Sequence, residues 1–315
     1  LKISAKQAKQ LLLTVAFAGF LRGQTVDDGI IIPRHTLFTG DTWTYDTWNH
    51  YWEGHLYRTT GNLGTVTTQS NNWYADYGIT NRLDFIANVP YVWTNASQGV
   101  LRGMEGFQDV TLAGKFVFLK RPFTSKGSLS AIAVASGTIP LTNYEPSFEP
   151  LSIGNHSKTI SARTTLFWQS DSVWAATASA AYTWRSNIAL DQQYYYTDNQ
   201  FYLTNQVVMP QVFNYNVNYG YMHRGRMLFV DWSQQRTQGG GDIRRQDMPF
   251  PSNMVNYSKV GLTTMYPLPI HFLHDLGVQF NFGYIVDGRN IGRSMTFTTG
   301  LLYTVHFPGS PRDTK

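Results

Sequence analysis

Alternation with a period of two governs most of this chain, and it persists over unusually long runs. Near the C-terminus, Met295, Phe297, Thr299, Leu301, Tyr303, Val305 and Phe307 fall on one side. Thr296, Thr298, Gly300, Leu302, Thr304 and His306 fall on the other. In the run before it, Leu276, Val278, Phe280, Phe282, Tyr284 and Val286 alternate with Gly277, Gln279, Asn281, Gly283, Ile285 and Asp287. Phe213 to Met222 and Trp174 to Trp184 behave in the same way. A period of two is the mark of a strand with two different faces. Strands of soluble domains are usually about 5–6 residues long, and these runs are roughly twice that. A tilted strand that crosses a bilayer needs about 9–11 residues. The polar face is also informative, because it carries Asn, Gln, Thr, Ser and Gly instead of Lys and Glu. Small neutral polar side chains suit the interior of a barrel, while Leu, Val, Phe and Tyr suit a lipid-facing wall.

Composition agrees. Only 14% of the 315 residues are charged and 15% are aromatic, whereas an ordinary soluble domain is about 25% charged. Disordered chains are charge-rich and aromatic-poor, so disorder is excluded. Cysteine is absent, which excludes a disulfide scaffold, thiolate metal sites and a Cys nucleophile. No run of about 18 apolar residues is present, which argues against helical membrane spans. The net charge of +5 comes mainly from residues 1–24, which hold Lys2, Lys6, Lys9 and Arg22 and no acid. Without a clustered basic surplus in the remainder, nucleic acid is not an expected partner. The same 1–24 segment reads as a signal peptide: a basic start, then the apolar stretch Leu11 to Leu21, with cleavage expected near Gln24.

Twelve strands are predicted, at 41–52, 65–77, 83–94, 108–119, 128–139, 158–169, 173–185, 208–222, 226–236, 257–267, 275–286 and 292–307. The connections 78–82, 170–172 and 223–225 are short; 95–107, 140–157, 186–207 and 237–256 are long. An outer-membrane barrel has an even number of strands, short periplasmic turns and long outside loops. The expected fold is therefore all-β: a transmembrane antiparallel β-barrel of about 12 strands, with short periplasmic turns and long extracellular loops. A sandwich or propeller of such long uncharged strands would leave sticky sheet edges that only closure removes. The expected division is a signal peptide (1–24), an N-terminal segment (25–40), the barrel (41–307) and a tail (308–315). Ile30-Ile31-Ile32-Pro33 in the second of these either tucks into the lumen or leads through the periplasm. Aromatic clusters at Trp73, Tyr74 and Tyr77, at Tyr91 and Trp93, at Tyr182 and Trp184, and at Tyr303 and Phe307 suggest interfacial girdles.

One stretch carries a family resemblance. It reads Tyr77-Gly78-Ile79-Thr80-Asn81-Arg82-Leu83-Asp84, then Val89-Pro90-Tyr91, then Gly106-Phe107-Gln108-Asp109 through Gly114-Lys115. This resembles the bacterial outer-membrane family labelled MetA-pathway of phenol degradation, related to FadL-type channels for hydrophobic compounds. Asn81 stands where the family usually has Asp, and Phe107-Gln108 where it has Leu-Gly. The resemblance implies a 12-strand-type barrel in the outer membrane of a Gram-negative bacterium and the uptake of hydrophobic or aromatic molecules. In physical terms, Gly78 and Asn81 are turn residues that suit a short hairpin.

No catalytic motif is present: no GxSxG, HExxH, P-loop or GxGxxG. His156 and Ser157 are adjacent, so on a strand they would point to opposite faces and could not form a dyad. His50 and His55, and His271 and His274 beside Pro267 and Pro269, do not have the setting of a metal site. Neither a cofactor nor a metal is expected. The candidate functional residues are four charges at strand centres, Asp84, Lys115, Arg163 and Asp231, each opposite the apolar stripe. A basic residue facing lipid near the midplane costs about 2–4 kcal/mol, so these should face the lumen. There they set pore selectivity, anchor an inner plug, or pair structurally. The expected function is passive passage of a small hydrophobic or aromatic solute through a monomeric channel. Its partners would be outer-membrane lipid and lipopolysaccharide, that solute, and the barrel assembly machinery. The alternatives are an outer-membrane lipid-acting enzyme and a structural or adhesion barrel that uses its long loops.

Overall fold

The computed structural model describes residues 25–123, 126–244, 248–270 and 275–311; the proposed signal peptide and the His271/His274 pair lie outside the described residues. Twelve long strands form one antiparallel sheet: β1 (Thr36–Trp48), β2 (Val66–Gly78), β3 (Leu83–Ala96), β4 (Asp109–Pro122), β5 (Gly127–Pro140), β6 (Thr159–Ser170), β7 (Trp174–Arg185), β8 (Gln211–His223), β9 (Arg226–Gln238), β10 (Asn256–Pro267), β11 (Leu276–Arg289) and β12 (Met295–His306). Each pairs with its neighbours in sequence, and β1 pairs with β12 from Thr36↔His306 to Thr47↔Met295. The sheet thus closes into a barrel and has no free edge. Strands of 12–14 residues, rising about 3.3 Å per residue and tilted by about 40°, reach roughly 30 Å, enough to cross a bilayer. Among the described residues no helix is long and apolar enough to cross a membrane.

The alternation in sequence becomes an inside and an outside. On β8, Tyr215, Val217 and Tyr219 are exposed, while Asn214, Asn216 and Asn218 turn inward. Trp174 and Tyr219 stack outside near one end of the barrel, and Tyr182 packs edge-on against Phe213 near the other. Tyr74 departs from the girdle reading: it faces the lumen and packs near Phe38, with ring centroids 5.9 Å apart.

β1 begins at Thr36, so the last residues of the 25–40 stretch are barrel wall. The outward positions there include the polar Thr39 and Asp41, and the inward ones include Phe38, fully buried. That inversion of the usual polarity hides the start of the strand. Residues beyond Trp48 leave the barrel and form a separate loop hairpin, His50–Glu53 with Leu56–Thr59.

The short turns 79–82, 171–173 and 224–225 lie at one end, with both Thr36 and His306. The long connections 49–65, 97–108, 141–158 and 186–210 lie at the other, together with 239–244, 248–255 and 290–294. The long-loop end is tied together by Asn290, which sits at φ 55°. Its Oδ1 accepts from the backbone of Gly54 and Ile243, and its Nδ2 donates to Asp242 and to the Met254 carbonyl. Arg289 grips the Asp242 carboxylate through two bonds of 2.7 Å and holds that carboxyl below its usual pKa.

Candidate functional site

The lumen contains residues 25–33, which run back through the barrel before β1 begins. Three side chains of the wall fix them through four polar contacts. The Lys115 ammonium, fully buried, donates to Asp28 at 2.7 Å and to the Thr25 carbonyl at 3.1 Å. Arg163 pairs with Asp27 at 2.6 Å and also donates to Ser179. Asp84 accepts the backbone N–H of Ile32 at 2.8 Å. Ile30 and Ile32 are buried against the inner wall with Phe38, Ile86, Val117 and Phe167. The segment leaves past Gly78, where a Cβ would stand 2.2 Å from the Pro33 carbonyl. Only glycine leaves room for that passage. Asp76 is also fully buried, in the field of Lys115 and Asp84.

A second polar group lies on the opposite wall. Asp231 accepts a 2.7 Å hydrogen bond from Thr263. Lys259 reaches from β10 across β11 to donate to Thr296 at 2.8 Å, and Thr296 donates to Asp46 at 2.7 Å. The side chain of Lys259 lies over Gly283, where a Cβ would come within 2.2 Å of its Cε. A register shift between Ser258 and Lys259 adjoins this point; such bulges re-aim a side chain.

Between the segment and that wall lies a cavity of about 400 Å³, bounded by Ile30, Asn218, Phe229, Asp231, Thr263 and Asn281. Two more, of about 360 and 440 Å³, lie toward the short-turn end. The first shares Ile30 and Phe167 with one and Met227 with the other. Toward the long loops a fourth cavity, of about 260 Å³, is lined by Asp109, Asn155, Arg185, Asn214 and Gln235.

The 141–158 connection folds over the β3 side of the mouth. Leu151 is fully buried beside Leu63 and Val66, and Ile153 packs with Val92 and Tyr144. Thr94 donates to the Leu151 carbonyl at 2.6 Å. Tyr144 donates to Asp109 and accepts from the His156 backbone. The His156 ring packs edge-on against Tyr144, whereas the Ser157 hydroxyl donates to the Ser186 carbonyl at 2.7 Å. The two residues have different partners and form no dyad. His50 stacks on Tyr57.

All four charges singled out in the sequence face inward. Lys115, Arg163 and Asp84 converge on the inserted segment, and Asp231 stands apart on the far wall. The same alternation rule also identifies Asp46, Asp76 and Lys259, which were passed over. Asp27 and Asp28 lie outside any strand and carried no periodic signal; their only mark was a pair of acids in a charge-poor chain.

Fold and lumen together define a membrane-spanning β-barrel channel of the outer-membrane type. The family described as "Putative MetA-pathway of phenol degradation" matches residues 58–299, and the chain belongs to that family. No curated protein matches. Among solved structures, the COG4313 outer membrane channel from Pseudomonas putida F1 is similar, with 13% identity and a TM-score of 0.69. The match covers 90% of this chain and 100% of that one. The NanC porin is more loosely similar: 9% identity, a TM-score of 0.45, and 84% and 98% of the two chains covered. Fold and family thus place the protein among outer-membrane β-barrels.

Proposed function

We propose that the protein lets small hydrophobic or aromatic solutes pass down their gradient through the lumen, alongside residues 25–33. The observation that carries this reading is the series of cavities running beside the inserted segment, joined by shared walls at Ile30, Phe167 and Met227. Their lining suits a solute with an apolar body and a polar substituent. Met227, Phe229 and Phe167 offer apolar surface; Asn216, Thr263 and Thr298 offer hydrogen bonds. The family's description refers to phenol degradation, and a phenol has that two-sided chemistry.

In this reading residues 25–33 narrow the pore as a tethered partial plug. Lys115, Arg163 and Asp84 are its anchors, and Asp231 is left to act on the solute. The long-loop end faces outward and the short-turn end faces the periplasm, in keeping with the short-inside, long-outside habit of such barrels. The closed sheet offers no strand edge for pairing, which supports a monomer. Phe307, whose N–H is bonded to the His35 carbonyl and whose ring lies against Tyr77, supplies an aromatic end to β12 for the assembly machinery.

Planar-bilayer recording of the purified protein tests the channel. Discrete conductance steps, enlarged on deletion of residues 25–33, are expected. A folded barrel that stays silent both with and without that segment would overturn the reading.

A further inference from the structure

The cavity between the inserted segment and the β8–β11 wall has an unbalanced chemistry. Its polar side presents Asn216, Asn218, Asp231 and Asn281. The side-chain oxygens of the three asparagines are buried and have no hydrogen-bond partner in the protein. Asn218 stands directly opposite Asp231 in the β8–β9 register, which places their Cβ atoms about 5 Å apart. Buried polar groups are normally satisfied, and each exception calls for an explanation.

The charges are unbalanced too. Asp27 and Asp28 are neutralised by Arg163 and Lys115. Lys259 and Thr296 line the same cavity, but the ammonium is bonded to Thr296, which donates to Asp46, so that this cation is set against the Asp46 carboxylate. Asp231 has only the Thr263 hydroxyl, and no cation among the described residues pairs with it. Turning an asparagine amide over exchanges a donor for an acceptor, but the Asp231 charge remains. Charge therefore decides what the pocket accepts. Beside these groups, toward the short-turn end, Met227 and Phe229 of β9 and Met265 of β10 share the inner face and Phe167 of β6 completes the lining, a set of rings and thioethers that suits a flat apolar body.

We propose that this pocket is a selectivity site for small primary arylalkylammonium ions. The ammonium group would be held by Asp231 and Asn218, with the ring against Phe229, Met227 and Phe167. A primary ammonium has three donors, and the carboxylate and amide oxygens supply acceptors for them. This deepens the channel reading and rests on it, because the pocket lies on the solute's path.

The test is calorimetric titration of the full-length protein in detergent micelles at pH 7 with phenethylammonium chloride, 2-phenylethanol and phenylacetate. The three probes share a ring and differ in head-group charge. Phenethylammonium is expected to bind at least about tenfold tighter than the alcohol, the gain expected of one charge-assisted bond. Phenylacetate should bind weakest. Asp231→Asn should erase the preference for the amine. If that variant fails to fold, as judged by heat-modifiable gel migration, Asn218→Leu should weaken amine binding severalfold. Equal affinity for amine and alcohol in the native protein would overturn the assignment, as would an unchanged amine preference in a folded Asp231→Asn or Asn218→Leu barrel. Bilayer recording separates this from the channel reading. A conducting pore that ignores the amine overturns the site alone; a barrel that binds it but stays silent both with and without residues 25–33 overturns the channel and leaves the pocket as a binding site.

Discussion

Replacing Lys115 by Met should release the inserted segment. The ammonium is fully buried and bonds Asp28 and the Thr25 carbonyl. Met preserves most of the volume, so packing against Asp84 and Val134, its register partners, changes little. What is lost is the compensation of Asp28. Breaking a buried ion pair by removing one partner costs about 3–5 kcal/mol. The side chain of Asp28 retains 18% exposure, so the lower end, about 3 kcal/mol, applies. At 1.4 kcal/mol per decade, the ratio of released to docked segment should rise roughly 100-fold. The chain has no cysteine, so Ile32→Cys provides a single reporter thiol at a position only 2% exposed. A maleimide carrying a polyethylene glycol chain too bulky for the lumen labels it only when the segment leaves. The labelling rate should rise roughly 100-fold in the Lys115→Met background. Asp28→Asn alone should also accelerate labelling, and the double variant should be less than additive, because the two side chains act on each other. Strict additivity, or a rate unchanged by Lys115→Met, would refute the anchoring argument.

Three other outcomes are expected. Gly283→Ala forces Lys259 aside and should cost about 1–3 kcal/mol through overpacking; thermal unfolding should show the loss, and it should vanish when Lys259 is also shortened to Ala. Burial pushes the Glu149 carboxyl, in the 141–158 connection, up to about 7. A raised acid favours the docked loop fully at pH below its unfolded value near 4.5 and loses that contribution as pH rises through about 7. Protease protection of the loop should therefore fall between pH 5 and 8, and Glu149→Gln should flatten the profile; a slope that survives the substitution rejects this assignment. Asn290→Ala removes four bonds linking three loops, and hydrogen exchange at Gly54 and Ile243 should accelerate at least tenfold while that of the barrel strands stays unchanged.

Much of the wall was legible in the sequence, for a simple reason. Lipid outside and a filled lumen inside impose opposite polarity on alternate residues, and nothing else in the strand competes with that rule. All twelve strands were found, and Asp84, Lys115, Arg163 and Asp231 faced as expected. The rule failed where polarity was reversed, at Thr39, Asp41 and the inward Phe38, so β1 was placed five residues late. It could not choose between lumen and periplasm for Ile30 to Pro33, since a short apolar run carries no register. The partners of Lys115 and Arg163 were illegible too. They lie 87 and 136 positions away in the chain, at Asp28 and Asp27, and spacing says nothing about contacts made across a closed cylinder.

The polar anchors of the inserted segment all lie on β3, β4 and β6, whereas the seam of the barrel joins Thr36 to His306. The polar anchors of residues 25–33 are therefore all in place once the first half of the wall has formed, well before the last strand can zip to the first. Contacts that close smaller loops are entropically cheaper and form sooner. The segment would then be docked on an open, curved half-sheet and enclosed as β12 arrives, so it never has to thread a finished pore. In that sequence of events Asp27 and Asp28 also screen Lys115 and Arg163 at the stage when those charges would otherwise lie bare on a sheet entering the membrane.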